Sequence, residues 1–303
     1  MSRRRAVLIW NPRAGQWRAR RALPEIRKVL ENGFELTLEP TTGRDHCRNL
    51  ARRALAERID VLFVLGGDGT LRLAASILAG SSTAIGTLPG GTTNVVAGAL
   101  GLPMDPVAAA RALLVAEPIE MDLGRSSHAP PATDAQPFLM QLSGGLDAQV
   151  MARVDLRTKR FLGKGAVVIS GLREWFRYRF PRFEIEIDGK VENPVGATGF
   201  VVVNLPQYAG QFTIVPGASA TDRRLELLLF HGERRRDAAG FALALARGRH
   251  LDRRDVEVRP FTTLKIASPP SLQLQADGDA FVTAAPLTVT LAPERLAILA
   301  PRP

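Results

Sequence analysis

The stretch VLFVLGGDGTLRLAASIL, residues 61–78, decides the fold. Val61–Leu65 is a continuous apolar run of strand length, the pattern of a strand buried on both faces. Thr70–Leu78 follows with helical spacing. Between them lie Gly66, Gly67, Asp68, Gly69 and Thr70. Glycines there let the backbone turn sharply and approach a ligand closely. The N–H groups that open the following helix then favour a bound phosphate. Asp68 adds a carboxylate able to hold Mg2+ or accept a proton. The same five residues also suit a plain β-turn that caps a helix.

The segments on either side repeat the strand-then-helix alternation. Ala6–Trp10, Phe34–Leu38 and Ala84–Leu88 read as strands, and Arg18–Leu30, Asp45–Leu55 and Thr93–Leu100 as helices. Such units imply a parallel sheet covered by helices. Asn11-Pro12-Arg13-Ala14-Gly15 follows the first strand, and Pro89-Gly90-Gly91-Thr92-Thr93-Asn94 follows the fourth. Ligands of parallel sheets bind at the carboxyl ends of strands, so three glycine-containing loops there are hard to explain as unrelated turns and are expected to cradle phosphate together. Neither a Walker A pattern nor G-x-G-x-x-G is present. Beyond Glu117 strand patterns dominate, including Ile119–Leu123, Phe138–Leu142, Gly199–Asn204, Leu225–Phe230, Leu272–Ala276 and Leu287–Leu291, which predicts an antiparallel β-sandwich. The expected architecture is thus an α/β domain over 1–117 and a β-sandwich domain over 118–303, with the last strand free to return to the first domain. Ser126–Pro137, polar and proline-rich, reads as a hairpin loop inside the second domain.

Composition narrows the function class. The chain has 303 residues, 46% of them hydrophobic, enough for a sizeable core. No apolar run reaches membrane-spanning length, and Ala6–Trp10 is too short for a signal-peptide core. The lone Cys47 excludes an internal disulfide, fits a cytoplasmic protein and reads as a buried small apolar residue. Four scattered histidines give no zinc-site spacing. Forty basic against thirty acidic residues leave +10, a charge that attracts polyanions. No nucleic-acid motif accompanies it, so an anionic membrane surface is the expected partner. Gly165–Phe180 (GAVVISGLREWFRYRF) interleaves arginines with aromatics at helical spacing, which suits an interfacial helix and equally an amphipathic core helix.

Taken in order, NPRAG (11–15), Thr41 with His46 in TTGRDHCRNLA, GGDGT (66–70), PGGTTNVVAGALGLP (89–103), SGGLDAQV (143–150), YAGQFTIVPGASATD (208–222) and ADGD (276–279) resemble the diacylglycerol kinase catalytic-domain superfamily, which includes bacterial lipid kinases and sphingosine kinases. GGDGT alone also looks like NAD kinases. The resemblance implies transfer of the γ-phosphate of ATP to a lipid hydroxyl, with Mg2+, at the inner face of the membrane. It makes Asn11, Gly15, Thr41, Gly66, Gly67, Asp68, Gly69, Thr70, Thr92 and Asn94 nucleotide-binding. It makes Asp277 or Asp279 the general base, with Asp68 as competitor, and turns Asp147 toward the lipid head group. Asp222 with Ser219 and Arg224 would hold a structural metal. Asp279 is one methylene shorter than the family's glutamate, Val95 stands where many relatives carry aspartate, and Arg223 replaces a glycine of the metal loop. From the residues alone, Asp277-Gly278 is equally a type I′ hairpin turn, Asp147 an N-cap, Asp222 a turn cap and Thr41 a loop residue. The resemblance also implies a site between the two domains and leaves a homodimer open. Competing readings are a kinase of a soluble substrate such as NAD, and a non-catalytic nucleotide or lipid sensor.

Overall fold

The computed structural model of the chain describes residues 3–12, 18–128, 136–153, 178–189, 197–208 and 212–301. It divides into two units, Met1–Asp122 with Pro293–Pro303, and Leu123–Ala292.

In the first unit the elements run β1 (Arg4–Trp10), α1 (Arg18–Leu30), β2 (Phe34–Pro40), α2 (Arg44–Ala56), β3 (Val61–Gly66), α3 (Asp68–Leu78), β4 (Ala84–Pro89), α4 (Val95–Ala99), α5 (Pro106–Leu113) and β5 (Glu117–Met121). Every residue of β3 and β4 is buried, as their mostly apolar composition favours, with Thr87 the one hydroxyl among them. Alternate positions Leu8, Phe63, Leu65 and Leu88 pack with Ile26 and Leu30 of α1 and Ala109 and Leu113 of α5. The intervening Val7, Ile9, Leu62 and Val64 are buried on the other face. The sheet order is β2-β1-β3-β4, then the chain's last strand (Leu296–Ala300), then β5. The last strand joins β4 in parallel and β5 in antiparallel fashion. The expected boundary at 117/118 therefore falls inside β5, whereas the structure keeps the whole of β5 in the first sheet, because its pairing partner is this returning strand. Asp122, fully buried, meets the Arg295 guanidinium at 3.2 Å beside that pair.

The second unit comprises β6 (Gly124–Ser127), β7 (Gln136–Phe138), β8 (Gln141–Gly144), α6 (Leu146–Arg153), β9 (Glu184–Ile187), β10 (Gly199–Val203), β11 (Gln207–Tyr208), β12 (Phe212–Thr213), β13 (Leu225–Phe230), α7 (Arg235–Ala246), β14 (Val256–Phe261), β15 (Thr263–Ser268), β16 (Ser271–Ala276), β17 (Asp279–Ala284) and β18 (Leu287–Leu291). Two antiparallel sheets, β14-β13-β10-β8-β16-β17 and β7-β6-β18-β15-β9, form the expected sandwich. Its core alternates along the strands: Phe200 and Val202, Leu225, Leu227 and Leu229, Leu272 and Leu274, Leu287 and Val289. On the reverse of the first of these sheets, Val201, Val203 and Leu228 pack with Ile214, Val215 and Leu245. β6 and β7 pair in antiparallel fashion across the proline-rich segment, as read from the sequence. Residues 165–177 of the expected interfacial helix lie outside the described residues. Among the described residues no helix is long and apolar enough to cross a membrane.

Candidate active site

Register aligns the ends of the parallel strands. Trp10 of β1 lies opposite Pro40 of β2 and Leu65 of β3, and Gly66 lies opposite Pro89 of β4. The ladder then runs one step further. The Asn11 amide donates to the Leu65 carbonyl at 3.0 Å, Thr41 to Trp10 at 2.8 Å and Gly90 to Gly66 at 2.9 Å. Asn11, Thr41, Gly67 and Gly90 thus leave the sheet together at one edge. Since β1 has β2 on one side and β3 on the other, chain order reverses between β1 and β3, which opens a crevice at their carboxyl ends. Gly15 lies outside the described residues.

Two of the loops at this edge are a single piece of structure. A Cβ placed on Gly91 would lie 2.5 Å from the Gly67 Cα, so the two backbones touch. Asn94 adopts a left-handed conformation (φ 50°), its side-chain oxygen accepts from the Gly91 amide at 2.8 Å, and its amide donates to the Gly91 carbonyl at 3.1 Å. Asp68 reaches across from the other loop. Its carboxylate accepts from the Thr93 hydroxyl and from the backbone amides of Val95 and Val96, each at 3.1 Å. It therefore caps α4 from a distance, satisfying N–H groups that the helix itself leaves without partners. Asp68 and Asn94, expected to meet the nucleotide, have their side chains engaged in shaping the loops. What this edge offers a phosphate is then backbone: the first turn of α3, an 11-residue helix opening at Asp68 behind Gly67. Thr92, on the exposed crest of the second loop, is available to a ligand.

Thr41 is buried, with its hydroxyl 3.4 Å from the Trp10 carbonyl. His46 Nδ1 accepts from the Thr42 amide at 3.2 Å, holding the start of α2. Cys47 is buried below, its Sγ 3.7 Å from the Thr70 carbonyl, and burial pushes its thiol up to about 11. A thiolate is the reactive form. In the folded protein at pH 8 a disulfide-exchange reagent should leave Cys47 unlabelled, and denaturant should release one thiol per chain. Rapid labelling of the native chain would contradict this burial.

In the second unit Asp277 and Gly278 join β16 to β17 with left-handed φ values of 50° and 83°, and Ala276 pairs directly with Asp279. This is the two-residue turn that Asp-Gly favours. Asp277 is buried, and its carboxylate accepts from three backbone amides: Leu139 at 2.8 Å, Met140 at 2.8 Å and Gln141 at 3.1 Å. Its own amide donates to the Gln141 carbonyl at 3.0 Å. Asp277 thus ties the hairpin to the segment entering β8, and the expected general-base role fits it poorly. Asp279, half-buried at the start of β17, is the acid the turn presents.

Asp147, in the first turn of α6, sits at the centre of a polar network. Its carboxylate accepts from the Ser143 hydroxyl, from the Tyr208 hydroxyl at 3.1 Å and from the Ala148 amide at 2.8 Å. Burial raises its pKa, and these hydrogen bonds, with one from Gln275, oppose the rise. Burial first, and then the Asp147 charge, raise the phenols of Tyr178 and Tyr208. Gln275 and Ser143, both buried, were not singled out from the sequence. Gln273 and Gln275 alternate with core leucines in β16, a pattern that reads as solvent-facing.

The 219–224 segment has no comparable construction. Asp222 is exposed and accepts from the Arg224 amide at 3.0 Å, an ordinary turn cap, and Ser219 bonds to Thr221 at 3.0 Å. One exposed carboxylate flanked by two arginines is a poor cation cradle. Among the described residues no three His, Cys, Asp or Glu side chains gather for a metal. At Asp68 each carboxylate oxygen already receives a backbone N–H, which leaves it ill suited as a primary ligand.

The Diacylglycerol kinase catalytic domain family model matches residues 5–126, and the YegS C-terminal NAD kinase beta sandwich-like domain matches residues 140–300. A Bacillus subtilis (strain 168) protein named diacylglycerol kinase is 26% identical over 283 residues, covering 91% of this chain and 90% of its own length. One of the same name from Staphylococcus carnosus (strain TM300) is 27% identical over 281 residues, covering 91% and 89%. A structure solved as a diacylglycerol kinase from Bacillus anthracis str. Sterne shares the fold with TM-score 0.73 at 17% identity, over 99% of this chain and 98% of that one. Another from the same organism, provisionally so assigned, has TM-score 0.79 at 20% identity, over 98% and 95%.

Proposed function

The chain belongs to the diacylglycerol kinase catalytic-domain superfamily and is a kinase, and from that premise we propose that it phosphorylates a hydroxyl of a diacylglycerol-like lipid. The observation that carries the reading is the contact of Gly67 with Gly91 at the carboxyl edge of the parallel sheet. It joins two glycine loops into one rigid backbone surface beside the amino end of α3. Such a surface suits a phosphate chain and has no evident purpose as a pair of unrelated turns.

Phosphoryl transfer asks for positioning and charge stabilisation more than covalent chemistry. In this reading the first-unit loops hold the ATP phosphates by backbone N–H, and Mg2+ bound with the nucleotide would supply charge neutralisation of those phosphates. Asp147 orients the acceptor head group. Asp279 takes the proton of the acceptor hydroxyl as its oxygen bonds to the γ-phosphorus and the bond to the β-phosphate oxygen breaks, releasing ADP. Lipid comes from the relatives' names, which agree over nine-tenths of the chain. A basic surface, +10 overall, suits peripheral contact with anionic membrane.

The test is incubation with γ-labelled ATP, Mg2+ and mixed micelles of diacylglycerol, sphingosine or phosphatidylglycerol, with NAD in a parallel arm. Label entering the organic phase with diacylglycerol is expected. Label confined to a water-soluble product with NAD would favour the soluble-substrate kinase, and a lack of transfer in every arm would sink the proposal.

A further inference from the structure

Gln275 is 3% exposed and lies one residue before the ADGD segment. Its side chain bonds at both ends. Oε1 accepts from the Gly278 amide at 2.7 Å, and Nε2 donates to the Ser143 hydroxyl at 2.6 Å. The direction of this chain of bonds is forced. A backbone N–H can only donate, so the amide oxygen of Gln275 must face Gly278 and its NH2 must face Ser143. Ser143, accepting from Gln275, then turns its own proton to Asp147. The Tyr208 hydroxyl donates to the same carboxylate oxygen. Three links thus run one way, from the turn amide through Gln275 and Ser143 to Asp147.

We propose that Gln275 is a positioning residue: it fixes the Asp277-Gly278 turn, and with it Asp279, at a set distance from the Asp147 carboxylate. This rests on the kinase reading of Asp147 and Asp279 given above. One of these carboxylates orients the acceptor and the other takes its proton, so their separation must hold to a fraction of an ångström through the transfer. Asp277 anchors the same turn to the chain before β8. Gln275 supplies the second anchor, and its line runs to the substrate group. An apolar residue of similar size would keep β16 packed, and the turn would lose its register with α6.

Two variants separate the parts. Gln275→Leu removes both bonds. Gln275→Glu keeps an acceptor for the Gly278 amide but sets a second acceptor against Ser143, drawing its proton from Asp147. Amide exchange of Gly278, read by NMR without any substrate, should speed about tenfold or more in Q275L and stay near wild type in Q275E. Turnover should fall about tenfold to a hundredfold in both, with KM for ATP within about twofold. Q275L added to Asp147→Asn should cost far less than the product of the single losses. Unchanged Gly278 exchange in Q275L would overturn the inference, as would normal turnover in Q275E or multiplying losses in the double variant. Exchange bears on Gln275 alone, whereas a wild-type chain that phosphorylates no lipid overturns the kinase reading instead.

Discussion

Gly91→Ala should lower kcat/KM for ATP by about a hundredfold or more while the chain stays folded. The added methyl would sit 2.5 Å from the Gly67 Cα and 3.2 Å from the Gly67 nitrogen. Both are backbone atoms, so no rotamer change relieves the overlap, and the two loops must part. Gly91 also anchors the Asn94 side chain, 3.0 Å from the new methyl, which holds the turn into α4. A displacement of about 1 Å among positioning groups is enough to cost about a hundredfold in rate. The sheet beneath, with β3 and β4 buried throughout, has no reason to unfold. Gly43→Ala supplies the control: nothing lies within 4 Å of its added Cβ, and its φ of 178° is extended backbone open to any residue. Steady-state kinetics with a thermal melt of each variant distinguishes the cases. Near-normal catalysis in G91A would mean that the loops do not act together on the nucleotide.

The first unit was largely legible because its signals are local. Val61–Leu65 is apolar at every position, so only a strand covered on both faces accommodates it. Arg18–Leu30 carries the helical period and forms α1 over the same residues. What escaped depends on distant partners. β5 has the composition of any short strand, and only its pairing with Leu296–Ala300 places it in the first sheet. α5 and α7 were missed because their alanine-rich sequences (PVAAARAL, RRDAAGFALALA) carry a weak period of large side chains. β17 hid behind the turn that starts it. In the candidate site, sequence pointed to loops that the structure brings to one sheet edge, but not to what their acids do. Asp68 reaches the amides of Val95 and Val96 across a helix, a strand and a turn of sequence, a relation that no local pattern encodes. Asp277-Gly278 was readable both as a hairpin turn and as a catalytic motif. The structure shows the turn, and it is the turn that sets Asp279 at the head of β17.

That double reading can be resolved by two substitutions with opposite signatures. Asp277→Asn preserves shape, and asparagine tolerates the left-handed φ of 50° as well as aspartate does. The change therefore isolates the hydrogen bonds. One carboxylate oxygen serves Met140 and Gln141 and the other serves Leu139. Whichever of these becomes the NH2 group now faces a backbone N–H, donor against donor, and leaves that buried amide without a partner. Each such group costs about 1–3 kcal/mol. D277N should thus lower the stability of the second unit by about 2–4 kcal/mol in urea unfolding. Asp279→Asn, at a half-buried strand position, should shift stability by less than about 1 kcal/mol. It should reduce kcat by about a hundredfold to ten-thousandfold, the range of general-base contributions, with KM for ATP unchanged. If Asp277 were instead the base, the pattern would invert: D277N would melt like wild type and fail to turn over, while D279N would remain active. The geometry favours the first outcome, because a carboxylate held by three main-chain donors is committed to the fold.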